Sequence, residues 1–443
     1  MTFVRGNTAA INTPYFMQTL SSKQSTSAAI KREEKYSAHN YHPLPVVLER
    51  GEGVYVWDVE GKKYFDFLSA YSAVNQGHSH PKIIGALTEQ AKTLTLVSRA
   101  FHSEVFGEYA EYITKYFGFD KVLPMNSGAE AVETAIKITR KWAYEKKGID
   151  ENKAKIVVCG NNFHGRTTTI ISFSSDGNAR DDFGPYTGGF ITVDYDDLGA
   201  LEHALDQPDV AGFLVEPIQG EAGVHTPDEQ YLAKAAEMCR ERNILFIADE
   251  VQTGIGRTGS LLAVCGNCTC QGHCERQSAT FVRPDILILG KALSGGVYPV
   301  SAALANNDVM DVIKPGQHGS TFGGNPLACR VAMAALDVIK DEKLTQNARR
   351  LGDIFRKEMQ KLVDETDLLR LVRGKGLLNA VVINDSQDSD TAWRLCLALR
   401  DNGLLAKPTH GNIIRFAPPL VMTEEELMAC VEIIVRTVRE FKK

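Results

Sequence analysis

Three stretches of this sequence set a chemically capable side chain directly after a run of apolar residues. The run PDILILGKALSGG puts Lys291 just past four aliphatic residues, beside Gly290 and ahead of Gly295 and Gly296. A lysine at the end of a buried strand loses hydration, which depresses its pKa and suits its amine to act as a Schiff-base nucleophile. It is not a Walker lysine, because Asp285 stands where the first glycine is required and Ala292 where Ser or Thr would hold magnesium. The run ILFIADEVQTGIGRTG puts Asp249 at the end of another strand, where a carboxylate needs a cation or hydrogen-bond donors. Two readings stand there: a cap on the next turn, or an acid set against the protonated nitrogen of a bound heterocycle. The segment NSGAEAVETAIKITRKWAY follows the strand-like VLPM and puts Ser127, Gly128 and Ala129 at the mouth of a helix with Val132, Ala135, Ile136 and Ala143 on one side. Free N–H groups and the helix dipole suit a phosphate at that mouth, and Ser127 equally suits a plain N-cap.

These groups need elements to hold them. Short apolar runs at 156–159, 212–215, 244–248 and 286–289 alternate with stretches of helical spacing, between about Val122 and Leu304. The pattern predicts buried parallel strands in a doubly wound α/β domain, with ligands at the carboxyl ends of the strands. The polar residues after those runs are Asn161 and His164, Glu216 and Glu221, Asp249 and Gln252, and Lys291. Gly254, Gly256 and Gly259 fit the dinucleotide spacing GxGxxG, but a Cys-rich hydrophilic loop follows where that fold needs a helix, so the dehydrogenase reading is rejected. A smaller α/β domain is expected over 341–443, with strands at 377–383 and 413–416 and a last helix begun by the capping box of Thr423 and Glu426. The hairpin at 54–57 and 63–67 is expected to pack on it as part of an N-terminal segment, 36–85. A large domain then spans 86–340, and residues 1–35 read as a flexible arm.

Composition narrows the function classes. At 443 residues the chain can bury several cores, and 49 basic against 55 acidic residues offer no broad surface for nucleic acid. No apolar run approaches the roughly 20 residues that span a bilayer, so neither a membrane nor a nucleic acid is expected as partner. Nine cysteines, mostly single, predict reduced thiols inside a cell, in the cytoplasm or alternatively the mitochondrial matrix. The early residues Arg5, Lys23 and Lys31, among many Ser and Thr, make only a weak transit-peptide pattern.

Taken in order, NSGAEAVETA, NNFHGRT, VEPIQGEAG, LFIADEVQTGIGRTG, LGKALSGG and HGSTFGGNPL resemble the class III, fold-type I aminotransferases that use pyridoxal 5'-phosphate. The resemblance runs from about Tyr36 to the last helix. It implies that Lys291 bonds the cofactor and moves the proton, and that Asp249 keeps the ring nitrogen protonated. It further implies that Gln252 reaches the ring hydroxyl, Phe163 stacks on the ring, and Ser127, Gly128 and Ala129 hold the phosphate. Ser320 and Thr321, in HGSTFGG, would reach the phosphate of a neighbouring subunit, which implies a homodimer with sites at its interface. The segment from His39 to Pro81 is similar to the members that act on ornithine, with 2-oxoglutarate as acceptor. That similarity gives Tyr41 and Tyr71 to the ornithine pocket, Arg166 to the distal carboxylate and Arg415 to the keto acid. Glu221 would pair with Arg415 and release it in turn. For each of these residues the alternative is a packed aromatic or a plain salt bridge.

One stretch departs from the family. AVCGNCTCQGHCERQSATF brings Cys265, Cys268, Cys270, His273 and Cys274 close in sequence, where relatives carry a shorter link. A zinc site, a redox-sensitive pair and a loop without a role all fit that spacing, and no metal is expected at the catalytic site.

Overall fold

A computed structural model describes residues 25–266 and 282–442. Cys268, Cys270, His273 and Cys274 lie outside the described residues, as do Arg5 and Lys23. Within the stretch expected to be an irregular arm, Thr26–Tyr36 is a helix capped by Ser25, with no buried residue.

Strands β1 (Leu48–Glu52), β2 (Tyr55–Asp58) and β3 (Lys63–Asp66) form an antiparallel sheet. The β2–β3 turn is the expected hairpin, and β1 adds a strand whose charged sequence LERGE carries no apolar alternation.

The central sheet has seven strands: β4 (Lys121–Met125), β5 (Lys155–Cys159), β6 (Phe190–Val193), β7 (Val210–Val215), β8 (Leu245–Asp249), β9 (Ile286–Leu289) and β10 (Ser301–Ala305). Their order is β4-β10-β9-β8-β7-β5-β6. β7, β8 and β9 are buried along their whole length, which is why they read as continuous apolar runs rather than alternating ones. The sheet is parallel from β9 through β6, but β10 pairs antiparallel with both β9 and β4. The four runs read as parallel strands are parallel here, in a sheet that is mainly parallel; β10 is the exception, because the short connection from Lys291 to Pro299 leaves no room for a crossover helix and the chain returns antiparallel.

The last part of the chain forms the sheet β11 (Leu369–Lys375), β12 (Leu378–Ile383), β14 (Lys407–Thr409) and β15 (Ile413–Phe416) in the order β11-β12-β15-β14. The two-residue β13 (Leu404–Leu405) instead joins β3 in parallel, tying the N-terminal sheet to the C-terminal part of the chain. The final helix, Glu424–Glu440, begins with both hydrogen bonds of the Thr423–Glu426 capping box and buries Leu427, Cys430, Val431, Ile434 and Val438. Among the described residues no helix is long and apolar enough to cross a membrane, and no group of three or more His, Cys, Asp or Glu side chains is placed to hold a metal.

Candidate active site

The carboxyl ends of β5, β7, β8 and β9 open onto one cavity of about 170 Å³ that Phe163, Glu216, Asp249, Val251, Gln252 and Lys291 line together with Gly128 and Ala129. Asp249 uses both of its oxygens: Oδ1 accepts the Val251 N–H at 3.0 Å, and Oδ2 lies 2.7 Å from His164 Nδ1. The turn cap and the ring acid are therefore compatible roles for one side chain. Lys291 sits in the left-handed region at φ 44°, a conformation that costs a side chain-bearing residue about 1–2 kcal/mol. Such strain gathers where surroundings over-determine a functional group. Burial lowers the Lys291 pKa; Glu221 opposes that, Arg415 adds to it, and Asp249 and Glu216 oppose it.

The helix Gly128–Trp142 starts at the cavity with a full capping box. Ser127 Oγ accepts the Glu130 N–H at 3.3 Å, and the Ser127 N–H donates to the Glu130 carboxylate at 2.8 Å. Ser127 is thus occupied as a cap, and the helix residues that line the cavity are Gly128 and Ala129, whose N–H groups belong to the first turn and have no intrahelical acceptor. A Cβ on Gly128 would come within 2.9 Å of the Val251 side chain, so glycine is what allows backbone and cavity wall to meet.

Across the cavity Arg415, only 2% exposed, meets Glu221 at 3.0 Å. Gln252 bridges the pair, donating to Glu221 at 2.8 Å and accepting from Arg415 at 3.3 Å. Gln252 also lines the cavity that Asp249 and Lys291 face. A Cβ on Gly220 would fall 1.6 Å from Gln252 Oε1, so a larger residue there would push the Gln252 amide off the pair. Burial raises the Glu221 pKa, but Arg415 and Lys291, with the Gln252 bond, outweigh it and leave the carboxyl below its ordinary value. Among the described residues Arg415 Nε is buried with no partner, a donor left over for a ligand.

Tyr71 lies under the Arg415 guanidinium at 4.8 Å from the ring centre. It is carried by four consecutive left-handed residues, Ser69, Ala70, Tyr71 and Ser72, with φ from 46° to 71°. The turn is held from both sides: Asp66 Oδ1 accepts the Leu68 and Ser69 N–H groups, and Ser69 Oγ donates to the Ala417 carbonyl at 2.6 Å. Burial raises the Tyr71 pKa, with Arg415 opposing and Glu221 and Tyr41 adding to it. Arg166 is exposed at 5.8 Å from the Phe163 ring centre, and Tyr41 is 67% exposed. Ser320 accepts from Asn126 Nδ2 at 2.8 Å beside the phosphate-competent helix start, while Thr321 is exposed.

Sequence reading gave no role to Glu216, His164 or Val251, all of which line the cavity. The position of Glu216 directly after an apolar run was the available signal; Val251 offered none, being one more aliphatic residue.

These residues suit pyridoxal phosphate: unpaired helix N–H groups for a phosphate, a buried acid for a ring nitrogen, flanking apolar groups, and a buried lysine amine. A fold-type I sheet with such a set at its strand ends defines a pyridoxal-phosphate-dependent aminotransferase. The chain belongs to the class III aminotransferases, whose family model matches residues 36–438. It is 60% identical to the mitochondrial ornithine aminotransferase of Drosophila ananassae over 92% of this chain and 90% of that one. Among solved structures it is similar to the ornithine aminotransferase of Toxoplasma gondii ME49, with a TM-score of 0.89 and 48% identity over 94% of this chain and 95% of that one. It is also similar to an acetylornithine aminotransferase from Elizabethkingia anophelis, with a TM-score of 0.85 and 62% identity over 94% of this chain and 100% of that one.

Proposed function

We propose that the enzyme transfers the δ-amino group of L-ornithine to 2-oxoglutarate, giving glutamate 5-semialdehyde, which cyclises to pyrroline-5-carboxylate, and glutamate. The observation that carries this reading is the Glu221–Arg415 pair at 3.0 Å, together with a second guanidinium, that of Arg166, exposed near the Phe163 ring. One pocket must take a donor whose reacting carbon has no carboxylate and an acceptor whose reacting carbon has one. With Arg415 closed on Glu221, an amine-bearing methylene can approach Lys291 without leaving a buried cation unpaired. With Glu221 turned away, the same guanidinium can grip the carboxylate of 2-oxoglutarate in two hydrogen bonds. Arg166, at the mouth, then takes the distal carboxylate of either substrate, and Tyr41 and Tyr71 wall the methylene chain.

Bound pyridoxal phosphate supplies the electron sink. The N–H groups of Gly128 and Ala129 would hold its phosphate, Phe163 and Val251 its ring faces, and Asp249 its ring nitrogen in the protonated state. Lys291, its amine made available at lower pH by burial, carries the proton to and from the reacting carbon. A homodimer would bring Ser320 and Thr321 to the partner's phosphate, and exposed Phe101 and Phe322 fit such a face. The mitochondrial relatives from Drosophila and rat favour the mitochondrial matrix over the cytoplasm.

A second reading, transfer from acetylornithine, is favoured by the similarity to the Elizabethkingia protein. Turnover of ornithine, acetylornithine and 4-aminobutyrate with 2-oxoglutarate separates the readings. Ornithine should give the highest kcat/KM; a clear preference for acetylornithine overturns the proposal.

A further inference from the structure

The cavity holds more carboxylates than its cations can balance. Asp249 from β8, Glu216 from the end of β7 and Glu221 from the following loop all act electrostatically on Lys291, and the cations facing them are Lys291 itself and Arg415 from β15. Glu221 is committed to Arg415, and Asp249 to His164 and the Val251 N–H. Glu216 is 6% exposed and has no cation within salt-bridge distance among the described residues. It accepts a hydrogen bond from the Phe163 N–H at 3.0 Å.

That bond joins two strand ends that are not sequence neighbours. β7 and β5 are adjacent and parallel, and beyond β5 the chain enters NNFHGRT. Phe163 lines the cavity, and the next residue, His164, makes the 2.7 Å contact with Asp249. Among the described residues His164 Nε2 is buried without a partner, so the contact with Asp249 is the ring's polar anchor. The loop that carries both residues is secured to the β7 end by Glu216. From this geometry we infer that Glu216 is a positioning residue of the active site, fixing Phe163 and the His164–Asp249 pair as a hydrogen-bond acceptor rather than as a charge. This inference rests on the cofactor site described above, and not on which amine the enzyme prefers.

The electrostatics agree. Burial lifts the Glu216 pKa far above the ordinary carboxyl value, and Asp249 lifts it further; the Phe163 N–H opposes them. A carboxyl kept neutral leaves Asp249 as the sole negative group for the ring nitrogen, and a neutral acid still offers its carbonyl oxygen to a backbone N–H.

The test contrasts shape with charge. Glu216→Gln keeps length and an acceptor oxygen but carries no charge, whereas Glu216→Asp keeps the charge and withdraws the oxygen by one methylene. Equilibrium binding of pyridoxal phosphate to each purified apoenzyme, followed by absorbance, reads the effect independently of substrate. The dissociation constant for Glu216→Gln should stay within twofold of wild type, while Glu216→Asp and Glu216→Ala should weaken binding at least tenfold. The same order should hold for the pH at which the visible cofactor band changes, with only the Gln variant matching wild type. If Asp serves better than Gln, the group acts as a charge and the inference fails. It also fails if all variants bind like wild type with only the melting temperature lowered. Should the Ala variant not fold, the Gln and Asp pair still decides between the outcomes.

Discussion

The two walls of the active site are built on different plans. The wall proposed for the cofactor comes from strand ends of one sheet, β7, β8 and β9, whose residues are all buried and whose carboxylates Glu216 and Asp249 both bond the loop after β5. The wall proposed for the substrates would be assembled from distant segments: Tyr41 and Tyr71 from the N-terminal part, Arg166 from a loop, Glu221 from another, and Arg415 from β15 of the last sheet. The first wall has one task and one geometry. The second must serve two unlike molecules, and its central contact is an ion pair with a third residue, Gln252, on both members. A fixed wall and an adjustable one is the division that a two-substrate pocket requires.

That contrast can be broken by experiment. Asp249→Asn strikes the fixed wall and should lower kcat for both half-reactions together by about 10²–10³-fold, the scale of a lost preorganised electrostatic partner. Half-reactions measured separately by stopped-flow absorbance check this; unequal loss would mean that Asp249 also discriminates substrates. Arg415→Ala strikes the adjustable wall and should raise KM for 2-oxoglutarate by about 30-fold or more, as expected when a buried charge pair loses one partner at about 2–5 kcal/mol. The ornithine half-reaction should suffer much less, and equal damage to both would show that the pair is only structural. Arg166→Ala should raise KM for ornithine about ten- to a hundredfold, in line with about 1.5–3 kcal/mol for hydrogen bonds to a charged group. An unchanged KM would remove Arg166 from the pocket.

The smallest effect concerns stability. Burial raises the pKa of Glu250 from the ordinary carboxyl value to about 7, although Thr253 Oγ1 and the Val264 N–H donate to it. A carboxyl whose folded pKa lies above its unfolded value keeps its proton longer in the native state, so stability falls as pH rises from about 4.5 to about 7 and levels off above. Glu250→Gln removes that loss. Its melting temperature should match wild type at pH 5 and exceed it by about 2–4 °C at pH 8. No difference at pH 8 would contradict a Glu250 carboxyl whose pKa burial has raised.

How legible each wall is in sequence follows from the same contrast. Four buried strands announced themselves as apolar runs, and the strand-end rule then pointed to Asp249, Gln252 and Lys291. Antiparallel β10 was hidden because its sequence, SAALA, is small and apolar in either direction. Tyr71 could be named only by resemblance: no pattern foretells four left-handed residues without glycine, since what holds them is Asp66 and the distant Ala417 carbonyl. The pairing of Arg415 with Glu221 was likewise invisible to spacing, because residues nearly two hundred positions apart meet only through the packing of the last sheet on the loop after β7. His164 showed nothing of its bond to Asp249 until β5 and β8 were set in one sheet.

Borohydride reduction of the cofactor-loaded protein, followed by peptide mapping, bears most directly on the claim that one lysine amine at the end of β9 carries the chemistry. The pyridoxyl group should be found on Lys291, and Lys291→Ala should abolish both the label and amino transfer. A label on another lysine, or full turnover without this one, would contradict the account.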